Sequence, residues 1–114
     1  MVKVIRRRAP LPGESRTVRF EGRDHGTPVS FFLIDYAPGE RVGLHLHPYP
    51  ETWIVRAGEA EFTVGDERLR ARPGDIVVAP ARVPHGFLAV GSGRLELVCI
   101  HPHDHVEQVW VEAP

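Results

Sequence analysis

The chain of 114 residues has one cysteine, one lysine and no long apolar stretch. A single cysteine, Cys99, excludes a disulfide within the chain, which fits a reducing compartment. No apolar run approaches the roughly 20 residues that a membrane-spanning helix needs. The basic residues near the start are followed by no apolar segment, so we expect no secretory signal and a cytoplasmic location.

Strong charge of either sign is also missing, since the formal net charge is −1. A general nucleic-acid or anionic-membrane binder would carry an excess of basic residues, so neither partner is expected. Hydrophobic residues make up 42% and charged residues 25%, which is ordinary for a globular protein. The length suits one domain over residues 1–114.

No window of helical length has a clear 3.6-residue apolar period. Instead, 11 glycines and 11 prolines punctuate the chain at short intervals, and β-branched or alternating runs lie between them. Short strands at such spacing predict an all-β sandwich or closed barrel. The predicted strands are 2–7, 16–21, 28–36, 41–47, 51–57, 59–64, 67–71, 75–79, 85–90, 95–101 and 106–112.

Two histidines two residues apart, His45 and His47, are followed by Glu51 and, further along, by His85. Side chains at i and i+2 share a face only on an extended strand, so the strand and the cluster support each other. Neutral imidazoles and a carboxylate suit a divalent transition metal. Burying such a cluster unpaired would cost several kcal/mol. These four residues are the predicted metal ligands.

The spacing around these ligands resembles the first motif of the cupin family. Five residues separate the first motif glycine from the first histidine, one separates the two histidines, three precede the glutamate and six precede the second glycine. The motif positions in this chain are Gly39, His45, His47, Glu51 and Gly58. The resemblance implies a single jelly-roll β-barrel that holds one metal ion: manganese, iron, nickel or zinc.

A second stretch is similar to the second cupin motif, with Gly74, Pro80 and then His85. Arg82 stands where the family usually has glycine, which suggests a turn that does not need positive φ. Ala89 stands where asparagine is usual, which removes a polar group from the pocket wall. The motifs lie within residues 39–89, and flanking strands complete the barrel.

Cupin activities include dioxygenases, isomerases, epimerases and decarboxylases, as well as plain binding, so the fold is a poor guide to the reaction. The resemblance implies a metal-dependent enzyme of dioxygenase or isomerase type that acts on a small organic substrate. A non-catalytic binding or sensing module is the alternative, and a protein with a vestigial site is a third.

Strand alternation predicts which side chains share the ligand face. Arg41, Trp53 and Phe87 are the expected pocket residues, and Tyr49 joins them from the loop between His47 and Glu51. The ordinary alternative for the two aromatic side chains is core filling, and for Arg41 it is solvation at a strand start.

His101 shares one strand face with Leu95, Leu97 and Cys99. If that face is interior, His101 is a catalytic candidate beside Glu51, as a proton shuttle or as a hydrogen-bond partner of a ligand. The pattern His101-Pro-His103-Asp-His105 could form a second metal site, although an exposed turn that binds metal adventitiously is the simpler interpretation.

Apolar residues also alternate on the opposite face, at Val42, Leu44 and Leu46, with Ile54 on the next strand. Apolar side chains on an outer sheet face need cover. The N-terminal strands or a second subunit could provide that cover, and we expect a homodimer.

Overall fold

The protein is an all-β barrel made of two antiparallel sheets. The computed structural model describes residues 1–112, where one 3-10 turn, Gly22–Asp24, is the only helical element, and no helix of that region is long and apolar enough to cross a membrane. The strands of this region are β1 Val18–Glu21, β2 Ser30–Tyr36, β3 Arg41–Leu46, β4 Glu51–Ala57, β5 Glu59–Val64, β6 Glu67–Ala71, β7 Ile76–Ala79, β8 His85–Val90, β9 Leu95–His101 and β10 Val109–Trp110.

Each sheet has five strands. The order is β1-β2-β9-β4-β7 in one sheet and β10-β3-β8-β5-β6 in the other, so strands distant in sequence lie side by side. Burial alternates along β4, β5 and β9, as expected for strands with one face on a core. Trp53, Phe62, Leu95 and Leu97 are almost fully buried between the sheets and form the centre of the core.

The strand predictions are confirmed through the middle of the chain. Five of them, 51–57, 59–64, 67–71, 85–90 and 95–101, have the observed bounds. Four others begin or end one or two residues inside the predicted range, and these are 16–21, 28–36, 41–47 and 75–79. Glycine marks the turns correctly: Gly58 has φ +71° and a side chain there would clash with the backbone of Arg94.

Two terminal strand predictions need correction. Residues 2–7 form no strand, and Val2, Val4 and Ile5 are exposed. Of 106–112, only Val109–Trp110 pairs, with β3. A β-prone composition is not enough, because a strand forms only where a neighbour accepts its backbone hydrogen bonds and its apolar side chains find cover.

The expectation that the turn at Arg82 avoids positive φ is wrong. Arg82 has φ +63°, the only non-glycine residue of the described region with positive φ. Its backbone N–H donates to the carbonyl oxygen of His47 at 2.8 Å, which ties the loop before β8 to the loop after β3. Arg82, whose side chain is exposed, thus adopts a left-handed backbone conformation that the tertiary contact imposes.

Candidate metal centre and adjoining cavity

Four buried side chains converge from both sheets. His45 lies on β3 opposite His85 on β8, and His47 follows the end of β3. Glu51 begins β4 in the facing sheet. Each of the four offers a ligand atom, these atoms all lie within 4.8 Å of one another, and no side chain is more than 6% exposed. These four residues are the metal ligands that the sequence spacing predicts.

Each of these three imidazoles is oriented by a backbone carbonyl. Nδ1–H of His45 donates to Gly43 O at 2.8 Å, that of His47 to Glu107 O at 2.8 Å, and that of His85 to Val83 O at 3.0 Å. A carbonyl only accepts, so the proton sits on Nδ1 and Nε2 is left as the free nitrogen. This arrangement is typical of histidines that bind metal through Nε2.

The free nitrogens face a carboxylate oxygen. Glu51 Oε1 lies 3.0 Å from His47 Nε2 and 3.0 Å from His85 Nε2. With Nδ1 already protonated, these contacts bring lone pairs together unless extra protons or a cation lies between them. The donor set therefore fits a divalent transition metal by its chemistry.

Electrostatics favour the charge states that a metal needs. Burial lowers the pKa of His45 to about 4, so this imidazole is neutral near pH 7. Burial by itself would raise the pKa of Glu51, but its contacts with His101, His47 and His85 outweigh burial and hold the pKa well below its usual range. Glu51 is thus an anion beside the neutral imidazole of His45.

A second chain of contacts leads away from the other oxygen of Glu51. His101 Nε2 lies 3.4 Å from Glu51 Oε2, and the Tyr49 hydroxyl lies 2.6 Å from His101 Nδ1. The backbone N–H of Glu107 donates to that hydroxyl at 3.3 Å, so the tyrosine proton points to His101. Burial raises the pKa of Tyr49 to about 12, which keeps the hydroxyl a donor. His101 therefore directs its own N–H toward Glu51.

A cavity of about 240 Å³ adjoins this cluster. His45, Glu51 and His101 lie on its polar side, and aromatic and aliphatic side chains form most of the remaining wall. The apolar and aromatic wall residues are Phe32, Ile34, Tyr36, Val42, Phe87 and Trp110. Trp110 packs against the His45 ring with a centroid distance of 5.0 Å. The site is a small, largely apolar chamber with one polar end.

The structure brings some of the predicted pocket residues together and not others. Phe87 lines the cavity, whereas Trp53 is fully buried in the core, where it packs on Phe62 at 4.6 Å. Tyr49 lies behind His101 rather than in the wall. Arg41 lies outside, where its guanidinium pairs with Glu112 at 2.6 Å.

Arg41 lies outside because β3 carries a bulge. Val42 pairs with Phe87 and His45 with His85, so three steps on β3 match two on β8. The extra residue reverses the alternation, which turns Val42 inward and Arg41 outward. Strand alternation counted back from His45 therefore predicts the wrong face for Arg41 and Val42, because the bulge lies between them and His45.

The sequence interpretation did not find several wall residues: Thr17, Arg19, Phe32, Gln108 and Trp110. Four of them come from the two ends of the chain, outside the motifs, and Phe32 lies on β2, shortly before the first motif. Alternation along β2 could have indicated Phe32, but nothing local indicates Trp110, which reaches the site because it pairs with His45 across the sheet.

A second group of potential ligands, His103, Asp104 and His105, lies on the loop after β9 and is partly exposed. His105 Nδ1 lies 2.6 Å from Asp104 Oδ1, and this hydrogen bond raises the pKa of His105. A metal would therefore compete with a proton for this imidazole.

Comparisons with known proteins agree with this architecture. Residues 32–101 match the family model of the Cupin domain. Protein SchB of Streptomyces halstedii is 37% identical over 62 residues, or 54% of this chain, and the chain spans only 45% of that relative.

Many solved structures share this fold, among them an uncharacterised protein and an enzyme. A conserved protein with a double-stranded β-helix domain from Klebsiella pneumoniae has a TM-score of 0.73 and 25% identity over 91% of this chain and 90% of its own. Oxalate decarboxylase of Bacillus subtilis, studied for its Mn(II) centres, has a TM-score of 0.78 and 21% identity over 91% of this chain and 30% of its own. The latter likeness concerns the fold alone.

Proposed function

This chain belongs to the cupin domain family, and from that premise we propose that it is a metal-dependent enzyme acting on a small organic molecule. His45, His47, Glu51 and His85 hold one divalent transition metal in this proposal. The reaction is of dioxygenase or isomerase type, and residues 1–114 act as one cupin domain in the cytoplasm.

One observation carries the proposal. Three backbone carbonyls orient three imidazoles so that their Nε2 atoms meet at a buried carboxylate. Folding has to place four polar groups out of water here, at a cost of several kcal/mol unless something compensates. A divalent cation compensates all four at once. The Mn(II) centres of the Bacillus subtilis oxalate decarboxylase make manganese the first metal to load.

The chemistry follows from the side chains around the cluster. A bound divalent ion would supply Lewis-acid polarisation of a substrate oxygen or, with a redox-active metal, oxygen chemistry. Glu51 contributes the negative charge, and His101 holds its second oxygen in place from the cavity wall. We propose Glu51 and His101 as the catalytic pair. Phe87 packs against the apolar body of the ligand and keeps water out.

Metal analysis of protein prepared without a His-tag tests the ligand set. We expect about one ion per chain in the wild type and in His25→Ala, which removes a histidine outside both His clusters. His47→Ala and the conservative Glu51→Gln should each lose most of the metal while keeping the β-sheet circular dichroism. Full occupancy in folded Glu51→Gln and His47→Ala would overturn the assignment.

Turnover is the second test. The manganese- and iron-loaded protein is offered catechols, diketones and thiols, with oxygen uptake and substrate loss as the readouts. Catalysis by any loaded form that disappears in Glu51→Gln supports the enzyme. Saturable binding without turnover under every metal supports the alternative below.

A non-catalytic binding module is the second candidate. Its support is the chemistry of the cavity wall, where Cys99 and Tyr36 are held protonated because burial raises the pKa of each. Apart from the cluster itself and His101, the wall described here therefore offers few groups that exchange protons near pH 7. Such a site suits recognition as well as catalysis.

We also propose a homodimer. Ile76 and Val78 lie on β7, which is the last strand of its sheet, and they are 66% and 59% exposed. An exposed apolar sheet edge is an association surface. A second copy of the chain could cover it.

A further inference from the structure

The loop after β9 carries a second convergent group of nitrogen and oxygen donors, the surface cluster of His103, Asp104 and His105. Each of the three offers a ligand atom, and these atoms all lie within 4.8 Å of one another. The two imidazole centroids are 4.2 Å apart, closer than any two histidine rings of the buried cluster. Both Nδ1 atoms face one carboxylate oxygen, since Asp104 Oδ1 lies 2.6 Å from that of His105 and 4.0 Å from that of His103.

Two hydrogen bonds hold the backbone of the surface cluster. The N–H of His103 donates to the carbonyl oxygen of His101 at 2.8 Å, and the N–H of Arg23 donates to the carbonyl oxygen of Asp104 at 2.7 Å. The ligand side chains therefore project from a backbone that is already fixed. Such preorganisation lowers the conformational entropy that is lost when the side chains close on an ion.

Glu107 links the surface cluster to the buried one. Its carboxylate Oε1 lies 3.4 Å from His105 Nε2. With a metal on Nδ1, Nε2 carries the proton and faces this carboxylate, an arrangement that orients many metal-binding histidines. The carbonyl oxygen of Glu107 accepts Nδ1–H of His47 at 2.8 Å, and its N–H donates to the Tyr49 hydroxyl at 3.3 Å. An ion on the surface cluster would thus restrain the residue that orients a ligand of the buried one.

The donor set and its exposure select the kind of ion. Two imidazole nitrogens and one carboxylate oxygen suit zinc, copper(II) or nickel, whereas calcium and magnesium take mainly oxygen donors. The side chains of His103, Asp104 and His105 are 38%, 47% and 29% exposed. An ion can therefore enter and leave without unfolding of the loop, and water completes its coordination.

We propose that His103, Asp104 and His105 form a second, exchangeable site for a divalent transition ion, with Glu107 as the outer partner of His105. The bound ion stabilises the loop that carries the carbonyl oxygen for His47. The site does not depend on the proposed function, because none of its ligands belongs to the buried cluster. Gel filtration removes an ion from so exposed a site, so the metal content expected of the purified protein is unchanged.

Calorimetric zinc titration of the Glu51→Gln variant tests the surface site separately, because that variant should hold no metal in the buried cluster. We expect about one zinc ion per chain to bind near neutral pH with micromolar affinity. In ¹H–¹⁵N NMR spectra, zinc should shift the amide signals of residues 103–107 and leave those of His45 and His85 in place.

Further variants in the Glu51→Gln background assign the binding to its residues. His103→Ala and His105→Ala should each weaken zinc binding by more than about tenfold, since each removes a ligand. Glu107→Gln should weaken it by about tenfold, as the loss of an outer partner does, while its backbone carbonyl remains for His47. His25→Ala is the matched control and should bind zinc unchanged, because His25 contributes no ligand atom to either cluster.

Hydrogen exchange tests the effect on the loop. Zinc should slow the exchange of the Glu107 N–H several-fold in Glu51→Gln, because an ordered loop opens less often, and it should have no effect once His105→Ala is added. Equal exchange with and without zinc would overturn the stabilising role of the ion.

The outcomes separate this inference from the proposed function. If zinc binds Glu51→Gln only in the millimolar range, or if His103→Ala and His105→Ala bind it as tightly as their parent, the ion is adventitious and the inference is wrong. If the wild type as purified contains no metal, the proposed function fails, and the surface titration still decides this inference by its own result.

Discussion

Arg82 offers a stability test that follows from one dihedral angle. A left-handed conformation costs a non-glycine residue about 1–2 kcal/mol, and Arg82 adopts it at φ +63°. Glycine at that position removes the strain but adds about 0.5–1 kcal/mol of unfolded-state entropy. Because the arginine side chain is exposed, little packing is lost. Arg82→Gly should therefore stabilise the protein by about 0.5–1 kcal/mol.

Urea denaturation of chelator-treated protein measures this difference, since bound metal would add its own stabilisation. The midpoint in a thermal scan should rise by roughly 2–5 °C. Arg82→Ala is the matched control, because it removes the same side chain and keeps the strain, so its stability should stay near that of the wild type. Gly39→Ala makes the reverse change at φ +93° in open space and should cost about 1 kcal/mol.

A loss of stability in Arg82→Gly similar to that of an ordinary exposed glycine substitution would refute the reasoning. It would mean that the strain at this turn is already relieved elsewhere. A gain in Arg82→Ala equal to that in Arg82→Gly would place the effect in the side chain rather than in the backbone.

Three further predictions concern pH dependence, the contact of His101 with Glu51, and assembly. The pKa of Glu21 is lowered, chiefly by the backbone N–H of Val106. Its carboxylate therefore stabilises the folded protein above the ordinary pKa, and this contribution disappears as pH falls below about 4.5. Glu21→Gln should flatten the acid limb of a curve of stability against pH, and an unchanged limb would contradict the assignment. His101→Ala should lower turnover while metal content stays near one ion per chain, and unaffected turnover would remove His101 from the mechanism. Light scattering at tens of micromolar should give the mass of a dimer that Ile76→Lys converts to monomer, and a wild-type monomer would refute the interface.

The histidine pattern was a strong predictor because its information is local. An i, i+2 pair fits only an extended segment, and glycine at Gly39, Gly58 and Gly74 marks turns where φ is positive. Alternation and turn residues then place most strands within two residues of their observed bounds. These features depend on steric preferences within a few residues, which is why they can be read along the chain.

Other parts of the site depend on partners that are distant in sequence. The bulge in β3 reverses the face of Arg41 and Val42, and only the register with β8 reveals it. Trp110 reaches His45 through the β10–β3 pairing, and Thr17 and Arg19 reach the cavity because β1 pairs with β2. The unpaired segment before β1 and the strained turn at Arg82 likewise depend on contacts with distant parts of the chain.

The amino-acid order was thus sufficient for the all-β class and the four potential ligands, since these follow from spacing and backbone preference over short distances. The jelly-roll expectation came from the resemblance of those spacings to the cupin motifs. The cavity and the contact of Tyr49 with His101 arise only when strands from both ends of the chain pack together. Pairing registers and packing are cooperative properties of the whole barrel, and no short window of sequence contains them.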